Sequence, residues 1–294
     1  MNVKGIFPPI ITTFDEKGNF DPDRYRVLLK YWSKHVDGVF VCGSYGSGPL
    51  LTTAERQQVL EVAASTLSDK PLIVHIGAIT TNESIQLARH AEAHNAVAVA
   101  AVPPYYYSYS DTAIKEHFKA ILDSVAIPVY AYDNPKTTGN AISPKLLDEL
   151  AHIGLSGLKD SSFDIGKLYM AMRTVKKPDF DFVIGSESMM LPAFAMGVRG
   201  CIAGLANAFP EVMHRFYQAA ISGNGEEARA WQERVLILWD ILHIGPSVPT
   251  AYELLRIRGF DPGQPRRPLL PLDADTRRTL EKAVEDNRSL WDIT

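Results

Sequence analysis

A lysine at the end of an alternating apolar run is the first residue whose placement suggests chemistry. Leu155, Gly157 and Lys159 alternate with Ser156 and Leu158, the period-2 pattern of a strand, and Asp160, Ser161 and Ser162 end the run. Burial there penalises the ammonium form and lowers its pKa, leaving an amine free to attack a carbonyl and form a Schiff base. The competing role is structural: a strand-end lysine that carries its head to water or pairs with Asp160. Tyr132 closes an earlier apolar run, 27 residues before Lys159. A phenol beside an amine can pass protons while carbinolamine and imine form and break. A buried ring with its hydroxyl at a wet rim is the plainer role. The stretch Gly43-Ser44-Tyr45-Gly46-Ser47-Gly48 follows a third run. Its glycines let backbone amides turn inward beside the Ser44 hydroxyl, which suits a small carboxylate. A plain tight turn has the same spacing, and the Gly-Lys-Ser/Thr of a Walker loop is missing.

Other strand-end residues add weaker candidates. Tyr105-Tyr106-Tyr107, after Pro103-Pro104, fits an interface patch or a phenol aimed into a site. Glu187 suits substrate hydroxyls or, equally, a solvated position at a helix N-terminus. Asn207, in Asn207-Ala208-Phe209-Pro210, faces the same rim. The eight histidines form no ligand cluster in the sequence, and His75 reads as a satisfied core or rim residue, so no metal site is expected. Cys42 and Cys201 lie far apart in apolar runs and read as buried, reduced thiols.

Holding such residues together requires a regular scaffold. Short apolar runs at Gly5–Thr12, Gly38–Cys42, Leu72–Gly77, Val97–Val102, Pro128–Asp133, Leu155–Asp160, Phe182–Gly185 and Gly200–Leu205 alternate with helical patterns. Asp21-Pro22 and the Thr52/Glu55 capping box mark two of the helix starts. Runs apolar on both faces suit a parallel sheet covered by helices, and about eight such units point to a (β/α)8 TIM barrel. An open doubly wound sheet is the runner-up, but no Gly-rich phosphate turn follows the first strand. Past Gly223 the strands stop, and Glu226–Leu242, Val248–Arg258 and Asp275–Trp291 read as helices. The expected division is a barrel over 1–223 and a C-terminal helical extension over 224–294. A net charge of −4 offers no basic stripe for nucleic acid or acidic membranes. With no bilayer-length apolar run and no signal-type start, the expectation is a cytoplasmic protein.

Together these motifs resemble the dihydrodipicolinate synthase and N-acetylneuraminate lyase family, the pyruvate-type class I aldolases. The likeness spans Gly5-Ile6-Phe7-Pro8 to Asn207-Ala208-Phe209-Pro210. Its most specific parts are the Gly-Ser-x-Gly loop, Tyr132-x-x-Pro135…Thr138-Gly139 and Gly157-Leu158-Lys159-Asp160-Ser161. The resemblance implies a barrel with a C-terminal extension, assembled as a homotetramer, a dimer of dimers. It implies an imine between Lys159 and pyruvate or another 2-keto acid, with Tyr132 as proton relay and Ser44 holding the carboxylate with the loop amides. Tyr106 matches the tyrosine that the family donates across a dimer interface. Tyr45, Gly46, Ser47, Thr137, Glu187, Gly204 and Asn207 complete the expected substrate pocket. The imine is itself the electron sink, so no cofactor is expected.

Three departures stand out. Tyr45 replaces the loop's second hydroxyl residue, and Ser47 replaces its glutamate. Asp133 stands where the family has an amide. Thr137 stands where dihydrodipicolinate-forming members carry an arginine, whose bidentate grip on a second carboxylate threonine cannot supply. The pattern is closer to members acting on 2-keto-3-deoxy sugar acids. The leading expectation is therefore a lyase giving pyruvate and an aldehyde. The alternatives are a dehydratase or hydratase-aldolase using the same imine, a dihydrodipicolinate synthase, and a non-catalytic keto-acid-binding barrel.

Overall fold

The computed structural model describes residues 2–293. Eight parallel strands form one sheet: β1 (Gly5–Ile6), β2 (Val39–Val41), β3 (Leu72–His75), β4 (Ala98–Ala101), β5 (Val129–Asp133), β6 (Gly157–Asp160), β7 (Asp181–Ile184) and β8 (Gly200–Cys201). Their order is β1-β8-β7-β6-β5-β4-β3-β2. The remaining seam is closed by Phe40 N–H donating to Pro8 O at 2.9 Å and Ile10 N–H donating to Phe40 O at 3.1 Å. The chain is thus a (β/α)8 TIM barrel with C-terminal helices. β1 is much shorter than the apolar run Gly5–Thr12, because Pro8 and Pro9 lack the N–H groups that a ladder consumes.

Strand parity sorts the side chains into two apolar layers. Phe40, Ile73, Ala98, Ala100, Tyr130 and Val183 fill the barrel, whereas Val74, Val99, Ala131, Leu158 and Ile184 pack outward against the helices. Gly157 is required in the inner layer, since a Cβ there would lie 2.4 Å from the Tyr130 ring. The helices start where the sequence signals place them. Asp21 accepts hydrogen bonds from the Asp23 and Arg24 amides ahead of helix Pro22–Trp32. Thr52 and Glu55 form the reciprocal capping box of helix Thr53–Thr66.

The C-terminal segment holds helices Gly225–Leu242, Ser247–Ile257, Ala274–Asp286 and Arg288–Trp291. The single helix expected over Asp275–Trp291 is broken at Asn287, whose side-chain amide donates to Ala283 O at 2.9 Å. The turn at 222–224 separates these helices from the barrel, yet Val235, Leu238, Leu254 and Leu280 share one apolar core with barrel residues. Tyr252 also donates its hydroxyl to Thr12 O. The extension therefore braces the strand ends that carry the site.

Candidate active site

The register of β5 and β6 sets Tyr132 directly beside Lys159, with Val183 on the other side. Both side chains take the inward parity, so the 27-residue spacing is one strand–helix–strand unit. Lys159 is 3% exposed. Its Nζ lies 3.8 Å from the Tyr132 ring centroid and 4.1 Å from that of Phe40. Burial pushes its pKa below the ordinary lysine value, against the opposing pull of the Tyr132 hydroxyl. Asp160 takes the opposite parity and accepts the Ser162 amide at 2.7 Å, so its carboxylate is bonded away from the lysine.

Burial raises the Tyr132 phenol, but the neighbouring Lys159 charge and hydrogen bonds with Ser44, Ser161 and Asn134 outweigh it and leave the phenol below its usual value. Asn134 donates to the hydroxyl at 3.2 Å. An amine and a phenol, both eased toward deprotonation and in contact, can exchange a proton without solvent. Ser44 is exposed at the mouth while still bonded to Tyr132.

The loop at 43–48 is a closed turn. Ser47 N–H donates to Ser44 O at 3.1 Å, and Gly48 N–H to Gly43 O at 3.1 Å. Ser47 is buried at φ 54°, and its hydroxyl has no partner among the described residues. Its amide is spent on the turn, leaving those of Tyr45 and Gly46 as the loop's candidate donors. Gly46 O accepts from Thr12 at 2.7 Å. Tyr45 is half-buried, hydrogen-bonds Ser247 and leans on Gly204, where a Cβ would lie 2.1 Å from the ring.

Glu187 is 4% exposed, so it is no solvated helix-end acid. It accepts the Leu205 amide at 2.5 Å, its backbone carbonyl accepts from Gln232 at 3.0 Å, and burial raises its pKa. It also feels the Lys159 charge.

Four other positions stand apart from the contact of Lys159 with Tyr132. Asn207 has its carboxamide committed to backbone: Ile11 N–H donates to it at 2.9 Å, and it donates to Pro9 O at 3.1 Å and Gly204 O at 3.0 Å. It ties β8 to β1, and the expected strand Gly200–Leu205 accordingly ends at Cys201, with a tight turn over Gly204–Asn207. Asp133 faces out of the barrel, pairing with Lys167 and accepting Ile142 N–H at 3.0 Å. Thr137 is exposed within a four-residue helix, Pro135–Thr138, that Gly139 ends at φ 70°. Tyr106 is 82% exposed at φ 84°, turned to solvent. Its loop is pinned by Asn140, which donates to Pro104 O at 3.0 Å and Tyr107 O at 2.8 Å.

Sequence reasoning also missed Phe40, His75, Arg56 and Ser161. Phe40 and His75 set their rings edge-on to Tyr132 at 6.1 and 5.8 Å. Burial, followed by the Arg56 and Lys159 charges, pushes His75 well below the usual imidazole range. Its Nδ1 bonds to Cys42 O at 3.2 Å, whereas its Nε2 has no partner among the described residues, so this buried histidine is satisfied at one nitrogen only. Buried Arg56 donates to the carbonyls of His75 at 2.6 Å and Gly77 at 3.0 Å, fixing the end of β3. Strand parity pointed to Phe40 and His75; nothing in a helical pattern marked Arg56. Histidines outside the site are not all scattered, either. His90, His94 and Glu61 bring potential ligand atoms within 4.8 Å of one another.

A model of the Dihydrodipicolinate synthetase family matches residues 2–287. An uncharacterized DapA-like lyase of Halobacterium salinarum is 35% identical over 292 residues, covering 97% of this chain and 94% of the relative. The 2-dehydro-3-deoxy-D-gluconate/2-dehydro-3-deoxy-phosphogluconate aldolase of Thermoproteus tenax is 33% identical over 291 residues, covering 97% and 92%. The crystal structure of YagE from E. coli K12 in complex with pyruvate superposes with a TM-score of 0.92 at 26% identity, covering 97% and 98% of the two chains.

Proposed function

The chain belongs to the dihydrodipicolinate synthetase family and is a Schiff-base lyase of the class I aldolase type; from that premise we propose that Lys159 forms its imine with a 2-keto-3-deoxy sugar acid, releasing pyruvate and an aldehyde. The observation that carries the reading is the buried contact of Lys159 with Tyr132 on adjacent strands.

In this mechanism the free amine of Lys159 attacks the keto carbon, and Tyr132 passes a proton to the carbinolamine oxygen, which leaves as water. The protonated imine draws electrons from the C3–C4 bond. As that bond breaks, the C4 hydroxyl gives up its proton to the Tyr132 relay, the aldehyde departs, and an enamine remains. Protonation of the enamine and attack of water on the imine return pyruvate and the amine. Ser44 and the amides of Tyr45 and Gly46 hold the substrate carboxylate. Tyr45, Glu187 and Thr137 border the sugar chain, with Ser47, Gly204 and Asn207 supporting them from behind.

Thr137 supports this substrate class. Its neutral hydroxyl, bonded to Asn134 O at 3.1 Å, provides no bidentate clamp for a second carboxylate. The same reading places the outward Tyr106 in the pocket of a second copy within a homotetramer built as a dimer of dimers, and the protein in the cytoplasm. No helix among the described residues is long and apolar enough to cross a membrane.

Borohydride trapping with pyruvate, followed by peptide mapping, tests the imine, and product analysis with 2-keto-3-deoxy sugar acids tests the bond broken. A pyruvate-sized adduct on Lys159 and release of pyruvate plus aldehyde are expected. A single dehydrated keto acid as product would transfer the assignment to a dehydratase, and absence of any adduct would leave a binding protein.

A further inference from the structure

We propose that Glu61, His90 and His94 form a binding site for a zinc-class divalent metal on the outside of the barrel, remote from Lys159. Their ligand atoms converge within 4.8 Å of one another. His90, in the last turn of helix Thr81–Ala93, and His94, its C-cap, are four positions apart and so lie on one face. Glu61 comes from the adjoining helix Thr53–Thr66. Helices run back along the barrel after each strand, so their last turns lie at the end opposite the active site.

Two features prepare the donors. The Nδ1 of His94 is hydrogen-bonded to His90 O at 2.9 Å, which leaves Nε2 as the nitrogen available to a metal. His90 is held by the backbone of Gln57, one turn before Glu61. Its Nε2 is buried, has no hydrogen-bond partner among the described residues, and lies 3.4 Å from Glu61 Oε1. That separation is near the ligand–ligand edge of a tetrahedron with bonds of about 2.0–2.1 Å. Two imidazoles and one carboxylate suit zinc rather than magnesium or calcium, and leave a fourth position for water. A bound ion would add a tie between two helices that Thr53 already links at their starts by donating to Glu83 at 2.8 Å.

The test uses the full-length protein, stripped with a chelator and titrated with zinc chloride by calorimetry, with cobalt(II) absorption as a second readout. One zinc per chain is expected. His94→Ala should weaken it by more than about 100-fold, beyond the 10–100-fold that supporting partners of a ligand carry, and Glu61→Gln by roughly 10-fold or more. Both positions are at least partly exposed, so the variants should fold, which circular dichroism checks. His152→Ala, on a different helix, should bind as the parent does. No zinc uptake, or uptake that either His94→Ala or Glu61→Gln leaves unchanged, overturns the site.

Discussion

Replacing Tyr132 by phenylalanine separates two effects of one hydroxyl. The ring still packs on Phe40 and Lys159, so the aromatic walls of the site persist. The proton path is lost, and a positioned acid–base group contributes roughly 10²–10⁴-fold. At 1.36 kcal/mol per decade, kcat should fall by a barrier increase of about 2.7–5.4 kcal/mol. The same hydroxyl raises the Lys159 pKa, which burial lowers. Without it burial is less opposed, the amine loses its proton more readily, and the acid limb of kcat/KM should move to lower pH. Asn134 and Ser161, both buried, each lose a partner. The expected loss of folding stability is about 1–3 kcal/mol. Rate–pH profiles of parent and variant, with borohydride trapping to follow the imine, read both effects. A kcat near that of the parent, or an acid limb displaced upward, would refute the coupling of phenol and amine.

Lys159→Met should abolish the trapped adduct while folding stability stays level or rises by about 1–2 kcal/mol, because a buried polar amine is replaced by an apolar side chain of similar reach; a markedly lower melting temperature would show the lysine to be structural. Asp133→Asn breaks the pair with Lys167. Because Lys167 retains some access to water, the cost should be about 1–3 kcal/mol in urea unfolding, less than the 3–5 of a fully buried pair. Its kcat should change by less than about threefold, the acid lying on the far side of the strand, and a larger loss would put Asp133 in the pocket after all. Glu187→Gln keeps the acceptor for Leu205 but cannot ionise. Since burial raises the Glu187 pKa above 4.5, the folded parent holds its proton more tightly than the unfolded chain. Its stability relative to the variant is therefore fully present below pH 4.5 and declines as pH rises through the folded value. Melts from pH 4 to 8 should show that decline, and a difference that grows with pH would reverse the sign of the burial effect.

The fold was legible because a parallel barrel writes its plan locally. The strands are largely apolar on both faces and many of the helices between them open on a side-chain cap, such as Asp21, Thr52, Thr80, Ser110 and Ser143, so alternation and caps suffice to count the units. The ends of elements were less legible, and for identifiable reasons. Pro8 and Pro9 shorten β1 by removing donors, and the Asn207 carboxamide draws the segment after Cys201 out of its ladder. The break at Asn287 depends on a side chain capping its own helix, which apolar periodicity does not register. His90 and His94 did carry a sequence signal in their four-residue spacing. The carboxylate that completes the group comes from another helix, and only the packing of the two helices brings it near.

Within the site, strand residues were more predictable than loop residues. Once Tyr132 faces inward, parity sends Asp133 outward, so the acid at the family's amide position acts on Lys167 and Ile142 rather than on the pocket. Tyr45 follows no such rule, because a loop has no parity. Its ring takes the space above Gly204, where any Cβ would lie 2.1 Å away. The two positions are therefore one structural unit: a side chain at 204 and a ring at 45 exclude each other. Substituting Tyr45 by threonine would restore the missing loop hydroxyl, but it would also uncover the backbone at Gly204 and free the hydrogen-bonding capacity of Ser247. The pocket beside Glu187 would widen by the volume of a phenol. On the proposed function, Tyr45 sets the width of the end that takes the sugar chain, while Lys159 and Tyr132, held side by side by strand register, carry the chemistry.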